Sequence, residues 1–289
     1  DIERFSEELN HKGAKSKFLV IGGAGSIGQA VTKEIFKRDP QALHVVDISE
    51  NNMVELVRDL RSTEGYGTGD FRTFAVDCGS VEFEAIMANQ GPYDYVFNLS
   101  ALKHVRSEKD PYTLMRMIMV NVFNTIKTLR LANKMGSKKY FCVSTDKAAR
   151  PKSLLGYTKR FSELLNIVIN HQKVNILRFG NVIASTGSAL PRWVSQVNND
   201  EQITITSKKA ERFFMTIKEA AQLVMQSQSI NINGIIFLDM GSPKNIYDIA
   251  KKIILASGLS YKDRDNQDGE IEIIETGLRK GEKLTEKLY

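Results

Sequence analysis

The stretch KFLVIGGAGSIG, residues 17–28, decides the fold of this 289-residue chain. Its first part, Lys17–Gly22, is an apolar run that ends in glycine and predicts a buried strand. The residues that follow, Ser26–Arg38, carry apolar side chains at helical spacing and predict a helix. A strand that passes through a glycine-rich turn directly into a helix is typical of nucleotide-binding α/β folds.

Three glycines, Gly22, Gly25 and Gly28, set the spacing of this turn. Glycine allows a tight turn and lets the backbone approach a pyrophosphate closely. The helix start at Ser26 and Ile27 offers unpaired N–H groups and the positive end of the helix dipole. A glycine-rich turn alone is a weak signal, but the strand before it and the helix after it make these five residues a predicted dinucleotide site.

Residues 1–16 are polar and are expected to form a short helix and a linker. From Lys17 to Gly180 the chain alternates predicted strands with predicted helices. Further strands are expected at Ala42–Asp47, Phe71–Asp77, Tyr93–Asn98, Lys139–Ser144 and Val174–Gly180. Further helices are expected at Glu50–Arg61, Val81–Asn89, Thr113–Lys134 and Gly156–His171. This alternation predicts parallel βαβ units in an α/β fold, a Rossmann-like doubly wound parallel sheet.

The alternation breaks after Asn181, which predicts a smaller C-terminal substrate lobe. Ser185–Pro191 has the composition of a loop, and the elements after it are shorter and irregular in order. They are strands at Ile203–Thr206, Gly234–Met240 and Ile271–Thr276, and helices at Lys218–Gln228 and Asn245–Ser257. We expect a cofactor domain of residues 1–182 plus 213–242. The lobe, residues 183–212 and 243–289, would cover the carboxyl ends of the strands, where ligands bind.

Side chains at the ends of the second, third and fourth strands are predicted to bind the rest of the cofactor. Asp47 ends the second strand, and a carboxylate there accepts hydrogen bonds from the adenosine ribose and repels a 2′-phosphate. NAD is therefore expected rather than NADP. The other predicted cofactor contacts are Asp77, Cys78, Ser100, Ala101 and Lys103. For Asp77 a plain loop carboxylate is an equal alternative.

The composition excludes several kinds of partner. The chain is 42% hydrophobic and 26% charged, which is typical of a globular protein. Its formal net charge is +6, but no basic stripe with interleaved aromatic residues marks a nucleic-acid surface. No Cys, His or carboxylate cluster has metal-ligand spacing, so no metal is expected.

The cellular location is predicted from two cysteines, Cys78 and Cys142. Both lie in apolar stretches and are expected to be buried free thiols, which fits the reducing cytoplasm. No apolar run in the sequence reaches membrane-spanning length. Because the sequence begins at Asp1 rather than Met, a membrane anchor in a longer parent chain stays an open alternative.

Ser144-Thr145-Asp146-Lys147 follows at the end of the fifth predicted strand. A hydroxyl, a carboxylate and an amine at the rim of the sheet provide a proton donor and a proton acceptor in one place. Such a pair can remove a C–H proton and expel a hydroxyl from the same substrate. The alternative is an exposed Asp146–Lys147 loop pair without a chemical role. These four residues alone favour the loop pair, and the position at a strand end favours catalysis only in combination with the flanking motifs described next.

The chain resembles the extended short-chain dehydrogenase/reductase family. Within it, the chain is similar to the UDP-N-acetylglucosamine 4,6-dehydratases of bacterial polysaccharide and glycan biosynthesis. The similarity runs from about Lys17 to the C-terminus. Its motifs are GGAGSIG (Gly22–Gly28), ALKHV (Ala101–Val105), STDKA (Ser144–Ala148), GYTKR (Gly156–Arg160), RFGNV (Arg178–Val182), TGSALP (Thr186–Pro191), ERFFM (Glu211–Met215) and LRKGEKL (Leu278–Leu284).

The resemblance implies a complete reaction cycle on one sugar. The C4 hydroxyl is oxidised by hydride transfer to the nicotinamide, and the hydride later returns to C6. Between these steps a base removes the C5 proton while an acid protonates the departing C6 hydroxyl. The resemblance implies that Asp146 is the acid, that Lys147 is the base, and that Thr145 bonds the C4 oxygen. It implies that Lys159 binds the nicotinamide ribose and lowers nearby pKa values by its positive charge.

One position departs from the family pattern. The broad family places a tyrosine four residues before its lysine, and here Leu155 stands four residues before Lys159. Tyr157 is only two positions away and would point to nearly the opposite side of the helix. We therefore expect Lys159 or Lys147 to take the proton of the C4 hydroxyl, with Thr145 as a relay.

Leu155 also affects the predicted configuration of the product at C5. By resemblance, dehydratases with an apolar residue at this position tend to retain the configuration at C5, so a retaining, NAD-linked enzyme is predicted. The alternatives are a C5-inverting dehydratase, a C4 epimerase, and a nucleotide-sugar-binding protein with weak or no catalysis. The epimerase is disfavoured, because it needs the tyrosine and has no use for Asp146 and Lys147.

The predicted substrate contacts follow the sixth strand, with UDP-N-acetylglucosamine as the implied substrate. They are Lys147, Asn181, Gly187, Ser188, Ala189, Arg212 and Arg279. The two arginines are chosen because guanidinium groups match phosphate geometry, and a surface charge is the alternative for each. The resemblance also implies a homo-oligomer whose dimer interface is formed by the helices Thr113–Lys134 and Gly156–His171.

Overall fold

The computed structural model describes residues 13–103, 108, 110–169, 174–230, 232–263 and 266–289. Two sequence-based predictions fall on other residues. The helix and linker predicted at residues 1–16 lie almost entirely outside the described residues, as do His104 and Val105 of the ALKHV motif.

The described elements alternate as the sequence predicts. The strands are β1 (Lys17–Ile21), β2 (Ala42–Asp47), β3 (Asp70–Ala75), β4 (Tyr95–Asn98), β5 (Lys139–Thr145), β6 (Val174–Phe179), β7 (Asn181–Val182), β8 (Ile203–Ile205), β9 (Glu211–Arg212), β10 (Phe214–Met215), β11 (Gly234–Phe237), β12 (Lys244–Asn245), β13 (Tyr261–Lys262) and β14 (Ile271–Glu275). The helices are α1 (Ser26–Phe36), α2 (Glu50–Thr63), α3 (Val81–Gln90), α4 (Pro111–Ile118), α5 (Thr125–Lys134), α6 (Leu154–Ile169), α7 (Ala189–Asn198), α8 (Ile217–Gln226) and α9 (Ile246–Ala256). A π-helical segment, Met119–Asn124, joins α4 to α5, and Asp146–Ala148 form one 3₁₀ turn.

Seven of these strands form one parallel sheet in the order β11-β6-β5-β4-β1-β2-β3. The strand order reverses between β1 and β4, which makes this the switch point of a doubly wound sheet. The predicted Rossmann-like α/β fold is therefore confirmed. The carboxyl ends of β1, β2, β4, β5 and β6 all meet at the same edge of the sheet.

The sheet is buried on both faces, as parallel sheets are. On one face Phe18, Val20 and Phe97 pack with side chains of α1 and α8. On the other face Leu19 and Ile21 pack with side chains of α3 and α5. Because both faces are covered, the central strands are mostly apolar, and this is why the sequence reveals them so clearly.

A smaller three-stranded sheet, β13-β14-β8, is formed by the C-terminal part of the chain. Trp193 of α7 and Ile254 of α9 pack against Ile203 and Ile273 of this sheet in a separate apolar cluster. The two-stranded pairs β10–β7 and β12–β9 lie along the segments that connect it to the main sheet.

The structure differs from the sequence prediction at two segments. Residues 189–191 were expected to belong to a loop, but they form the first turn of α7. The long helix predicted at Thr113–Lys134 begins at Pro111 and contains the π-helical segment, where the hydrogen-bond register changes. None of the helices in the described ranges is both long enough and apolar enough to cross a bilayer.

Candidate active site

Two adjoining cavities lie along the carboxyl edge of the main sheet. The first, about 220 Å³, is lined by the ends of β1 to β4, and we call it the adenosine cavity. The second, about 400 Å³, is lined by the ends of β5 and β6 and by the start of α7, and we call it the reaction cavity. Gly22, Gly25, Leu99 and Ala101 line both, so the glycine-rich turn is the point where the cavities meet.

The glycines of this turn are required by close approach. A β-carbon at Gly28 would lie 2.1 Å from the carbonyl oxygen of Gly22, so α1 can start here only with glycine. Gly22 has φ +73° and lies against the backbone of Ser100. A β-carbon at Gly25 would meet only Gly22 O, at 3.5 Å, and would occupy the free space between the cavities. The turn therefore leaves room for a pyrophosphate at the N-terminus of α1.

Asp47 stands at the end of β2 and lines the adenosine cavity, beside the turn. One carboxylate oxygen accepts a hydrogen bond from Ala24 N at 3.0 Å and the other from Ser49 N at 2.9 Å. Ser49 caps α2, as the sequence indicates, so Asp47 is not needed for that role. These bonds hold the carboxylate in the cavity wall, where each oxygen keeps a lone pair for a ribose hydroxyl.

The adenosine cavity also contains a residue that sequence reasoning did not select. Arg116 of α4 lines the adenosine cavity and donates to Asp77 Oδ2 at 2.7 Å. Burial raises the pKa of Asp77, but hydrogen bonds from Gly79 N and Arg116 outweigh it and leave the pKa below its ordinary value. Cys78 and Ser100, both predicted cofactor contacts, line the same cavity. No motif marks Arg116, because its partner lies 39 residues away in sequence.

The predicted acid and base are in contact below the reaction cavity. Lys147 Nζ lies 3.0 Å from Asp146 Oδ1 and 3.4 Å from Asn181 Oδ1. Thr145 Oγ1 donates to the same Asp146 oxygen at 2.9 Å. Thr145, Lys147 and Asn181 line the cavity, whereas Asp146 is fully buried and its Oδ2 has no hydrogen-bond partner. Asp146 itself does not line the cavity. It can exchange a proton with a molecule in the cavity only through Thr145 or Lys147.

Lys159 lies on α6 and also lines the reaction cavity. Its ammonium group is almost completely buried and donates to Val143 O at 3.0 Å. Burial lowers the pKa of Lys159 to about 8, and interactions with the neighbouring Cys142 and Glu163 oppose this effect. A buried amine with such a pKa is partly neutral near neutral pH and is therefore able to accept a proton.

The position of the missing tyrosine is filled by an apolar side chain. Leu155 is buried and lines the reaction cavity next to Lys159. Tyr157 is 54% exposed and does not line the cavity, as its helical position indicates. Among the residues that the structure describes, the titratable side chains that line this cavity are Lys103, Lys147 and Lys159. The reaction cavity therefore offers amines and hydroxyls for proton transfer.

The start of α7 forms the wall opposite α6. Gly187, Ser188 and Ala189 line the cavity there, as predicted for substrate contacts, and Lys103 Nζ lies 3.5 Å from Ser185 Oγ on the same side. Thr186 is hydrogen-bonded to Ser26, since its N donates to Ser26 Oγ at 3.0 Å. Ser26 and Ile27 line the cavity at the turn.

Two predicted substrate contacts lie elsewhere. Arg212 is buried and donates to the carbonyl oxygens of Glu211 and Leu284, both at 2.8 Å, so its guanidinium group stabilises the C-terminal segment. Arg279 is exposed. Neither residue lines either cavity, and the geometry gives no support to a phosphate contact by them. Among the described residues, no group of three His, Cys, Asp or Glu side chains is placed to hold a metal ion.

A glycine-rich turn at the switch point of a parallel sheet, with polar strand ends beside it, is typical of the doubly wound, nucleotide-binding class of α/β proteins. Comparison with known sequences gives a more specific assignment. The chain belongs to the family described as "Polysaccharide biosynthesis protein", which matches residues 18–289.

Several named proteins are similar to this chain. The capsular polysaccharide biosynthesis protein CapD of Staphylococcus aureus is 33% identical over all of the chain, which spans 47% of the length of CapD. The inverting UDP-N-acetylglucosamine 4,6-dehydratase of Campylobacter jejuni is 28% identical over 94% of the chain and 77% of its own length. A UDP-glucose 4-epimerase of Rickettsia bellii is 28% identical over 93% of the chain and 76% of its own length.

Solved structures share the fold. Pen from Bacillus thuringiensis is 27% identical, with a TM-score of 0.78 over 94% of this chain and 80% of that one. DesIV, a dTDP-glucose 4,6-dehydratase from Streptomyces venezuelae solved with NAD bound, has a TM-score of 0.76 at 17% identity. The DesIV alignment covers 94% of this chain and 88% of the other, and it shows likeness of fold alone.

Proposed function

We propose that this chain is an NAD-dependent UDP-N-acetylglucosamine 4,6-dehydratase that retains the configuration at C5. At the coarser level its relatives are nucleotide-sugar dehydratases and epimerases and proteins of polysaccharide biosynthesis. The observation that carries the finer proposal is the 3.0 Å contact between Lys147 Nζ and Asp146 Oδ1 at the reaction cavity. An elimination needs a base for the C5 proton and an acid for the C6 hydroxyl in one place, whereas an epimerisation at C4 uses neither of these two groups.

The cofactor proposal follows from the adenosine cavity and the turn. Backbone N–H groups at the start of α1 would bind the pyrophosphate, and Asp47 would accept hydrogen bonds from the adenosine ribose. A fixed carboxylate at Asp47 also repels a 2′-phosphate, which supports NAD rather than NADP. Lys159 would bond the nicotinamide ribose at the floor of the reaction cavity. A bound nicotinamide would supply the hydride acceptor for the oxidation at C4 and, once reduced, the hydride for C6.

The Asp146–Lys147 contact gives the pair a simple proton cycle. One proton passes from Lys147 Nζ to Asp146 Oδ1 along the existing hydrogen bond and leaves a neutral amine beside a carboxylic acid. The amine then takes the C5 proton, and the acid protonates the departing C6 hydroxyl by way of the Thr145 hydroxyl. The elimination thereby restores the original ion pair.

The remaining protons also balance. Neutral Lys159 takes the proton of the C4 hydroxyl, with Thr145 as a relay, during the oxidation of C4. Lys147 becomes neutral when it later returns its proton to C5, and the proton held by Lys159 then passes to Lys147, so each turnover ends with the starting protonation states. The oxidation is the step for which most family members use the tyrosine, and here a lysine with a pKa of about 8 stands beside Leu155.

Retention at C5 follows from the same arrangement. Lys147 removes the C5 proton from one face of the sugar, and the protonated amine returns it to the same face after hydride delivery to C6. Inversion would need a second acid on the opposite face. Leu155 occupies the tyrosine position and cannot act as that acid. The similar dehydratase of Campylobacter jejuni is named as inverting, so proton NMR of the product separates the two outcomes.

Domain boundaries, location and assembly are part of the proposal. We retain a cofactor domain of residues 1–182 plus 213–242 and a substrate lobe of residues 183–212 plus 243–289. The free, buried thiols of Cys78 and Cys142 support a cytoplasmic location.

A homo-oligomer is supported by an apolar stripe that crosses the exposed sides of α4, the π-helical segment and α6. The stripe consists of Tyr112, Met115, Met119, Phe123, Leu154, Tyr157, Phe161, Leu164 and Val168, all exposed.

The function is tested by incubating the purified protein with NAD and UDP-N-acetylglucosamine. Mass spectrometry should show a nucleotide sugar that is lighter by one water molecule. Asp146→Asn should abolish this product, and Tyr157→Phe should leave it unchanged, because Tyr157 lies outside the cavity. Recovery of the substrate mass alone, with both ligands bound, would contradict the proposal.

A further inference from the structure

A buried carboxylate, Glu163, lies one helical turn after Lys159 on α6 and takes no part in the steps above. Its side chain is 1% exposed, so its charge has to be compensated by groups inside the protein. The sequence signal for it is only its position, four residues after Lys159 on the same helix face.

Four hydrogen bonds converge on Glu163. Arg178 makes two of them, from Nε to Oε1 and from Nη2 to Oε2, both at 2.7 Å. Ser144 Oγ donates to Oε1 at 2.6 Å, and Arg160 Nη1 donates to Oε2 at 3.0 Å. Such a bidentate, charge-assisted set fixes the carboxylate in one orientation.

The donors come from different elements. Ser144 of β5 and Arg178 of β6 are register partners on neighbouring strands, so their side chains reach Glu163 of α6 from the same face of the sheet. The carboxylate therefore joins α6 to the ends of two strands at a single point. We call this set of residues (Glu163, Ser144, Arg178 and Arg160) the Glu163 clamp.

The clamp connects the two elements that carry the proposed chemistry. Ser144 immediately precedes Thr145, Asp146 and Lys147, whereas Lys159 lies on α6 one turn before Glu163. We propose that Glu163 and Ser144 are positioning residues, because their hydrogen bond holds Lys159 in register with the Thr145–Lys147 segment. This inference rests on the proposed function and deepens it. The bond from Lys159 Nζ to Val143 O is the other tie between α6 and β5.

Glu163 of the clamp also affects the pKa of Lys159. The groups that face this amine are the Cys142 thiol from β5 and Glu163 from its own helix, with Asp146 and Lys147 on the turn packed against α6. The negative charge of Glu163 raises the pKa of Lys159 and so opposes the effect of burial. Neutralising Glu163 would therefore lower the pKa of Lys159 further, an effect that a purely mechanical support would not produce.

Ser144→Ala tests the positioning role. Glu163 keeps three donors in this variant, so we expect a melting temperature close to that of the wild type. The kcat for dehydration should fall about tenfold, with KM for the sugar nucleotide changed by no more than about twofold, because small displacements of catalytic groups are costly. Arg160→Ala is the matched control, since it removes a bond to the same carboxylate without touching β5, and its kcat should be unchanged. A wild-type kcat in Ser144→Ala, or an equal fall in Arg160→Ala, would overturn the inference.

Glu163→Gln tests the charge, by a readout that does not depend on turnover. The titration of Lys159 is followed by NMR of its labelled Cε, assigned by its loss in Lys159→Met. Its midpoint should be lower in Glu163→Gln than in the wild type, and an unchanged midpoint in the folded variant would overturn the inference. If the unpaired Arg178 prevents folding, the Ser144→Ala comparison decides instead. Failure of the wild type to dehydrate the sugar sinks the proposed function, while this titration still decides the clamp.

Discussion

Lys159 is a buried amine, and burial of its protonated form lowers the free energy of unfolding. Its pKa is about 8 in the folded protein, below the ordinary lysine value near 10.5 in the unfolded chain. The unfolded state therefore binds more protons between these values, so the free energy of unfolding rises with pH across this window. Below pH 8 the full penalty, about 3 kcal/mol, acts against the folded state.

Lys159→Met should remove this penalty. At pH 7 we expect the variant to be more stable than the wild type by up to about 3 kcal/mol, and the difference should shrink as the pH approaches about 10. Urea denaturation at several pH values measures both quantities. A variant that is less stable at pH 7 by an amount independent of pH would contradict the assigned pKa. The same variant should lose dehydratase activity, because the proposed base for the C4 hydroxyl is absent.

Asp146→Asn should separate oxidation from elimination. The amide cannot supply the proton that the leaving C6 hydroxyl requires, whereas Lys159 and Thr145 remain to support oxidation at C4. With UDP-N-acetylglucosamine and NAD, the variant should accumulate reduced cofactor, visible by its absorbance, without releasing dehydrated product. Dehydrated product at the wild-type rate would exclude Asp146 as the acid.

The positions of some side chains could be predicted from the sequence, whereas the partners of others could not. Leu155 and Tyr157 lie where helical spacing predicted, one in the cavity wall and one outside it. Spacing along one helix is a local property, so sequence alone was sufficient for these two. Arg212 was selected for its charge, but its guanidinium group bonds carbonyl oxygens of a distant segment. Arg116 and Glu163 have their roles through partners far away in sequence, which no local pattern contains.

At the scale of elements, the strands of the main sheet were predicted to within a few residues, because burial on both faces leaves long apolar runs. The helix α7 was not recognised, since Gly187, Ser188 and Pro191 together resemble a loop. A proline in the first turn of a helix is tolerated, because the N–H groups there have no partner within the helix. The π-helical segment likewise has no sequence signal, although two of its residues, Val120 and Asn124, line the adenosine cavity.

The apolar stripe on α4 and α6 leads to a prediction about assembly. Leu154, Tyr157, Phe161, Leu164 and Val168 recur every three or four residues on the exposed side of α6, as in helices that pair with other helices. Phe161→Asp should place a charge in the centre of the proposed interface and convert the oligomer to monomers, measured by light scattering.

A matched control keeps this test specific. Val54 is an exposed apolar residue of α2, outside the stripe, and Val54→Asp should leave the oligomeric state unchanged. A wild-type protein that is monomeric at micromolar concentration, or a Phe161→Asp variant that stays oligomeric, would count against the interface.

For the molecule as a whole, the alternation of elements was sufficient to predict the sheet and the edge at which the two cavities lie. The strand order brings the glycine turn, Asp47 and the Thr145–Lys147 segment to one edge, although 98 residues separate Asp47 from Thr145 in the numbering. The sequence could not predict which side chains of the C-terminal part reach that edge. That outcome depends on how a less regular chain packs around its own small core.

The measurement that tests the central claim most directly follows a deuterium label from C4 of the substrate. UDP-N-acetylglucosamine labelled at C4 is incubated with the protein and NAD, and the product is examined by NMR. A dehydratase of the proposed kind moves this hydride within one sugar, so the label should appear in the C6 methyl group of a 4-keto product. A label that remains at C4, in an epimerised or unchanged sugar, would contradict the account.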